Sequence, residues 1–450
     1  MVCARPLSAG LAYVRAITGK YLYRKGIKLM LYPKCDYINV ANRSKCINPV
    51  ELVTTANAAN EKKIWLNNAA EAIFANPSYE YKNDLLTQVA TQRPAFETFR
   101  HTVETEMLPQ NESDEIVKAI LIARLDETIA STRLAAAILA NDTIAAQEAV
   151  ENIYGHPGKK QVENAKKRYS YLSSKESKDA PELGLFTAEE RKALQAIKLD
   201  ASMIERFFVK ALDAYGIDSW KVEVSDKYTA IDVRDKNADG ISVVGIPADR
   251  VVDGLKLIEL TRHEIEYHLR GSENCRNLIS EMLDEDSPLR PFIPILAKSD
   301  NEWLYEGVAK YNDAIIGGDH GIPTPYATLA CNMALNSYTF NQITVALFRL
   351  MKNESMPLPN NELLEELYKT VYRVIRGTTN TRKGGFCFTK DYIYLDGYMA
   401  VKDGLDARYY DFASMKLCEL QSIGRYSRLT PKYPLNPSVI LNIKAELLSL

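Results

Sequence analysis

Residues 263–268 read His-Glu-Ile-Glu-Tyr-His and hold two of the five histidines in a chain of 450 residues. Apolar Leu255, Ile258, Ile265 and Leu269 recur at helical spacing around them, which predicts a helix from Val251 to about Arg270. In the familiar zinc motif the histidines stand four apart on one helix face. Here they stand five apart, and at about 3.6 residues per turn the second side chain lies roughly 140° round from the first. A regular helix therefore leaves two unrelated histidines. A π-bulge, with one extra residue in the turn, brings positions five apart onto one face, and such bulges are frequent at functional sites. In that case two neutral imidazoles suit a zinc ion, and Glu264 can serve as general base on a water at the metal.

The period of the sequence changes just before this stretch. Lys221-Val222-Glu223-Val224, Ala230-Ile231-Asp232-Val233-Arg234 and Ile241–Pro247 read as three short strands, the last two separated by a turn at Asn237-Ala238-Asp239-Gly240. The remainder reads as helix. Pro49 to about Ala90 is helical in pattern, as is Glu115 to about Tyr154, where Ile116, Ile120, Leu121 and Leu125 mark one face and Gly155-His156-Pro157 a stop. Lys159–Lys178 reads as an exposed connector. Thr187 and Glu190 form a capping box that opens a new helix. The expected class is α+β and predominantly helical, with a small β-sheet preceding the metal-binding helix. Residues 1–95 read as a basic leader with a helical extension, and 96–450 as the catalytic domain.

Composition narrows the function classes. A net charge of −2 argues against a nucleic-acid binder driven by overall charge. No stretch approaches the roughly 20 apolar residues that cross a bilayer. Seven cysteines across 450 residues lack the density of a disulfide scaffold, so a cytoplasmic setting is expected, with Cys275 a buried thiol. The first 35 residues carry seven Lys and Arg and no acid, a pattern open to a transit peptide, a basic extension or a start site placed too early.

Downstream lie Glu306-Gly307-Val308-Ala309, then Arg376-Gly377, Gly384-Gly385-Phe386, and Thr389-Lys390-Asp391-Tyr392-Ile393-Tyr394-Leu395-Asp396-Gly397. Together with His-Glu-x-x-x-His, this order resembles the microtubule-associated tyrosine carboxypeptidases and the flavohaemoglobin expression-modulating QEGLA-motif proteins, over about residues 100–450. The resemblance implies a zincin-like zinc peptidase that removes a C-terminal tyrosine or similar residue from a polypeptide. It assigns His263, His268 and Glu306 as zinc ligands and Glu264 as base. Glu302, one turn earlier, is the rival third ligand. The chain departs from the pattern at Glu266 and Tyr267, where glycine and a small residue are usual, and at Tyr305, where glutamine or glutamate is frequent. A bulky acid at 266 is expected to alter the pocket or the accepted substrate.

A carboxypeptidase must also read a free carboxylate. Arg373, Arg376, Arg382, Lys383 and Lys390 form a basic group, and Arg376 and Lys390 are the chosen candidates because both sit inside the motifs. Tyr392 or Tyr394 could donate to an oxyanion or simply pack in the core. Two other classes stay open: a zinc-binding regulatory protein without peptidase activity, and a zinc endopeptidase or amidase.

Overall fold

The computed structural model describes residues 21–24, 27–30, 34–44, 47–70, 73–173, 186–228, 230–234, 242–296, 302–352, 360–378, 380–404, 411 and 430–450. The expected turn at 237–240 and most of the basic leader lie outside that set. Helices dominate. Among the described residues, no helix is long and apolar enough to cross a membrane.

Strands β1 (Tyr21–Arg24) and β2 (Ile27–Met30) pair antiparallel, and β3 (Lys198–Leu199) pairs with β7 (Val252–Asp253). The three expected strands are β4 (Trp220–Val224), β5 (Asp232–Arg234) and β6 (Ser242–Ile246), in the order β4-β6-β5. β6 is central and every residue of its Ser-Val-Val-Gly-Ile run is buried. It lies parallel to β4 and antiparallel to β5, with Asp232 opposite Gly245. β5 is thus an edge strand.

Three expectations about the helices are corrected. The Glu115–Tyr154 stretch is two helices, Glu112–Leu139 and Thr143–Tyr154. Asn141 turns the chain with φ 56° and Asp142 accepts from the backbone N–H of Ile144 and Ala145, so a left-handed residue and an N-cap interrupt the pattern. The Lys159–Lys178 connector begins as a helix, Lys159–Ser173, because Val162 and Ala165 are buried beneath its charged face. Pro49–Ala90 is also divided, into Pro49–Leu52, Ala58–Ala70 and Asn83–Ala90. The capping box forms as expected, with Glu190 N–H donating to Thr187 Oγ1 and Thr187 N–H to Glu190 Oε2.

Three large apolar clusters organise the described residues. One joins Val53, Phe99, Val117, Leu125 and Cys275 to Phe386 and Phe388. A second gathers Trp65, Ala165, Ala330, Phe340, Leu367 and Tyr398. The third holds Phe207, Val244, Leu257, Ile265, Leu269 and Ile440. The continuous helical run 254–282 ties the third cluster to the first, since Ile265 and Leu269 face one and Cys275 and Ile279 the other. Burying a side chain of that size contributes about 1.5–3 kcal/mol, so the pitch of this run is fixed from both ends.

Candidate metal centre

The middle of that run, Thr261–Leu269, is a π-helix between the α-helices Gly254–Leu260 and Arg270–Met282. Of the two backbones open to the sequence, the wider turn is the one adopted. His263 and His268 consequently share a face, their ring centroids 4.7 Å apart and nearly perpendicular at 88°. The opposite face explains why. Glu266 points away from the histidines and accepts from Tyr215 Oη at 2.8 Å and Arg262 Nη1 at 3.1 Å. Arg270 Nε donates to the Glu266 carbonyl at 2.6 Å. Arg270 and Asn274 reach on to Asp411 and Tyr433, binding the segment that follows. Glu266, the bulky acid expected to alter the pocket or the accepted substrate, forms a buried ion pair with Arg262.

Glu306 comes from helix Glu302–Gly317, which crosses helix Tyr392–Lys402 at two glycines. A Cβ on Gly307 would lie 2.5 Å from Cα of Gly397, and one on Gly397 would lie 2.3 Å from the Trp303 carbonyl. Only glycine permits backbones this close. The crossing brings the first turn of one helix beside Lys390, and so accounts physically for the glycines of Glu-Gly-x-Ala and Leu-x-Gly.

Glu306 Oε2 stands 3.8 Å from His263 Nε2 and 3.9 Å from His268 Nε2. The three ligand atoms all lie within 4.8 Å of one another, and the side chains are only 12%, 9% and 13% exposed for His263, His268 and Glu306. Neighbouring ligands of a tetrahedral ion with bonds of about 2.0–2.2 Å stand roughly 3.3–3.5 Å apart. The two Glu306 pairs need a contraction of a few tenths of an ångström and the histidine nitrogens, at the 4.8 Å limit, about 1.4 Å, so the residues fit a metal once the side chains rotate inward. Protonation states agree at His268 and Glu306; at His263 burial disfavours the imidazolium, but Asp313 outweighs it and raises the group, so an ion must displace that proton. Burial and the neighbouring His263 push His268 down to about 3, leaving its lone pair free. Burial opposes ionisation of Glu306, but Lys390, His268 and His263 outweigh it and hold the carboxyl below its usual value.

His263 Nδ1 lies 3.2 Å from each Asp313 oxygen, and Lys310 Nζ holds Asp313 Oδ2 at 2.8 Å. A carboxylate on the far nitrogen of a metal-binding histidine fixes its tautomer and ring orientation. Sequence reasoning missed Asp313, yet it follows Glu306 by seven residues, two turns along the same face. Glu264 is half-buried beside the cluster, and desolvation with the carboxylates of Glu306, Asp313 and Asp232 raises it to about 7 against the pull of His263. Asp232 belongs to edge strand β5, which places that edge next to Glu264.

The basic candidates separate. Lys390 Nζ donates to Glu302 Oε1 at 2.5 Å and to Glu306 Oε1 at 3.4 Å. Glu302, the rival ligand, is thus a lysine partner, and it is Glu306 that joins the histidines. Arg376 is buried over the Phe388 ring at 5.0 Å, with Asp391, Arg373 and Tyr154 as charged or polar neighbours. It does not join the ligand group. Arg373 pairs with Asp391 at 2.6 Å, while Arg382 and Lys383 are exposed. Tyr392 donates to the Tyr154 carbonyl and packs in the core, whereas Tyr394 borders Glu306, Lys390 and Arg373.

Residues 326–425 match the microtubule-associated tyrosine carboxypeptidase family. The matched stretch contains Arg376, Lys390 and Gly397; the metal candidates precede it. It supports the resemblance carried by the motifs. A search of curated proteins gave no match, and neither did a search of solved structures.

Proposed function

We propose that this chain is a zinc-dependent metallocarboxypeptidase that hydrolyses the C-terminal peptide bond of a polypeptide, releasing tyrosine or another aromatic residue. The observation that carries the reading is the convergence of His263, His268 and Glu306 with Glu264 beside them. Two neutral or orientable imidazoles and one carboxylate are the donor set of catalytic zinc, which leaves a position open, whereas structural zinc sites close with four protein ligands. Zinc bound there would supply Lewis acidity toward water and the scissile carbonyl. Glu264 takes the proton from water and returns it to the leaving amine, a role suited to a carboxyl poised near neutrality. Asp313 keeps Nε2 of His263 directed at the ligand group.

Lys390 has three donors, of which Glu302 and Glu306 engage two; the third can meet the substrate's terminal carboxylate. Arg376 is retained as a second candidate for that carboxylate on its place in the matched stretch. Tyr394, rather than Tyr392, is positioned to donate to an oxyanion. β5, the edge strand of its sheet among the described residues, lies beside Glu264 and can pair with an extended peptide. The aromatic preference follows the name of the matched family. A reducing setting such as the cytoplasm suits the buried free thiols of Cys275, Cys331 and Cys387. Paired peptides ending in a free acid or an amide test the positional claim: the free acid should lose one residue and the amide none, and equal cleavage of both would indicate an endopeptidase or amidase instead.

A further inference from the structure

We infer that Tyr305 is a positioning residue for the metal: its ring, backed by Tyr267, fixes the imidazole of His268 in the way that Asp313 fixes His263. The inference rests on the metal reading above.

The two histidines are supported by different chemistry. His263 has a carboxylate on Nδ1. His268 Nδ1 is buried and has no hydrogen-bond partner among the described residues. A metal-binding imidazole almost always donates its second N–H, because that bond sets tautomer and ring angle, and an unpaired buried donor is costly. Something else must confine the ring. Tyr305 lies over it with centroids 4.1 Å apart and planes 31° apart. Tyr267 closes the side, 5.6 Å from the His268 ring and 5.4 Å from that of Tyr305.

The brace is tied to what it braces. Tyr305 Oη donates to the His268 carbonyl at 3.1 Å, so the tyrosine ring cannot slide along the π-helix without breaking that bond. Tyr305 also immediately precedes Glu306, so one turn of helix supplies a ligand and the support for another ligand. Tyr267 and Tyr305 are two of the positions where the chain departs from the pattern it resembles, and here they touch. The two departures act as one aromatic unit on His268. Since no carboxylate strengthens this imidazole as a ligand, its contribution depends on the ring being held in place.

The test is zinc affinity of the full chain by chelator competition, with cobalt substitution to record the visible spectrum of the bound ion. Tyr305→Phe keeps the ring, and Tyr305→Leu removes it; thermal melting of metal-free protein checks that each folds. Tyr305→Leu should weaken zinc by about 10–100-fold and alter the cobalt spectrum, while Tyr305→Phe, which keeps the ring and loses the tether, falls between it and wild type. Wild-type affinity in Tyr305→Leu overturns the inference, as does an equal loss in both variants, which would place the role in the hydroxyl. If Tyr305→Leu does not fold, Tyr267→Leu reads the same effect at smaller size, and unchanged affinity in that folded variant overturns it. Failure of the metal reading looks different: wild type binds no zinc, or His263→Ala binds as well as wild type.

Discussion

Replacing Gly307 with alanine adds one methyl group to a helix, a change that ordinarily stabilises an exposed helical position by about 1 kcal/mol. The crossing with Gly397 reverses the expectation. The new Cβ would stand 2.5 Å from both Cα and the carbonyl carbon of Gly397 and 2.8 Å from its oxygen, about 0.9 Å short of the 3.4 Å at which ordinary contact begins. The opposing atoms are backbone, so no rotamer change relieves the overlap and the helices must part. Overpacking of this kind costs about 1–3 kcal/mol, and the propensity gain offsets only part of it. A net loss of up to about 2 kcal/mol is expected, read as a lower urea midpoint for the metal-free protein at unchanged slope. Because the Lys390–Glu306 contact spans the same crossing, zinc affinity should fall with it. Stability equal to or above wild type would refute the close crossing and the explanation it gives for the two motif glycines.

Other outcomes follow from the same geometry. In metal-free protein Glu264 is raised from 4.5 to about 7 by burial and neighbouring carboxylates, so the folded state binds its proton more tightly than the unfolded chain. Unfolding free energy should then fall as pH rises between about 4.5 and 7, by up to about 3 kcal/mol, and level off above; Glu264→Gln should remove that slope, and parallel pH profiles for the two proteins would contradict it. Asp313→Asn should cost about 10–100-fold in zinc affinity by chelator competition, and unchanged affinity would show that the His263 hydrogen bond is idle. Glu306→Ala should lose zinc by calorimetry while Glu302→Ala retains it, since Glu302 serves Lys390; the reverse pattern would exchange the two roles.

Much of the fold was legible because its signals are local. Alternation gave three strands within a residue or two of β4, β5 and β6, and the Thr187–Glu190 spacing gave a cap that both partners complete. The helix break at Asn141–Asp142 went unseen because it depends on one positive φ inside an otherwise periodic run. The helix Lys159–Ser173 was hidden by its lysines: its buried stripe is narrow and finds its partner in the second cluster, far away in sequence. At the site, the histidine spacing allowed two backbones, and the wider one is held by Glu266, Arg262 and Tyr215, a network no spacing rule reveals. The direction of Glu266 depends on the same choice, since one residue per turn decides which way it faces. Lys390, expected to read the substrate's carboxylate, lies against Glu302 and Glu306. Its two carboxylate partners, 84 and 88 residues earlier, became visible only when the glycine crossing brought the helices together.

The most direct test of the central claim is mass spectrometry of a mixed peptide pool incubated with zinc-loaded protein, alongside Glu264→Gln loaded to the same zinc content. The wild-type protein should shorten peptides by one C-terminal residue, aromatic residues foremost, and the variant should leave the pool intact. Cleavage by Glu264→Gln at the wild-type rate, or an untouched pool with one zinc bound per wild-type chain, would contradict it.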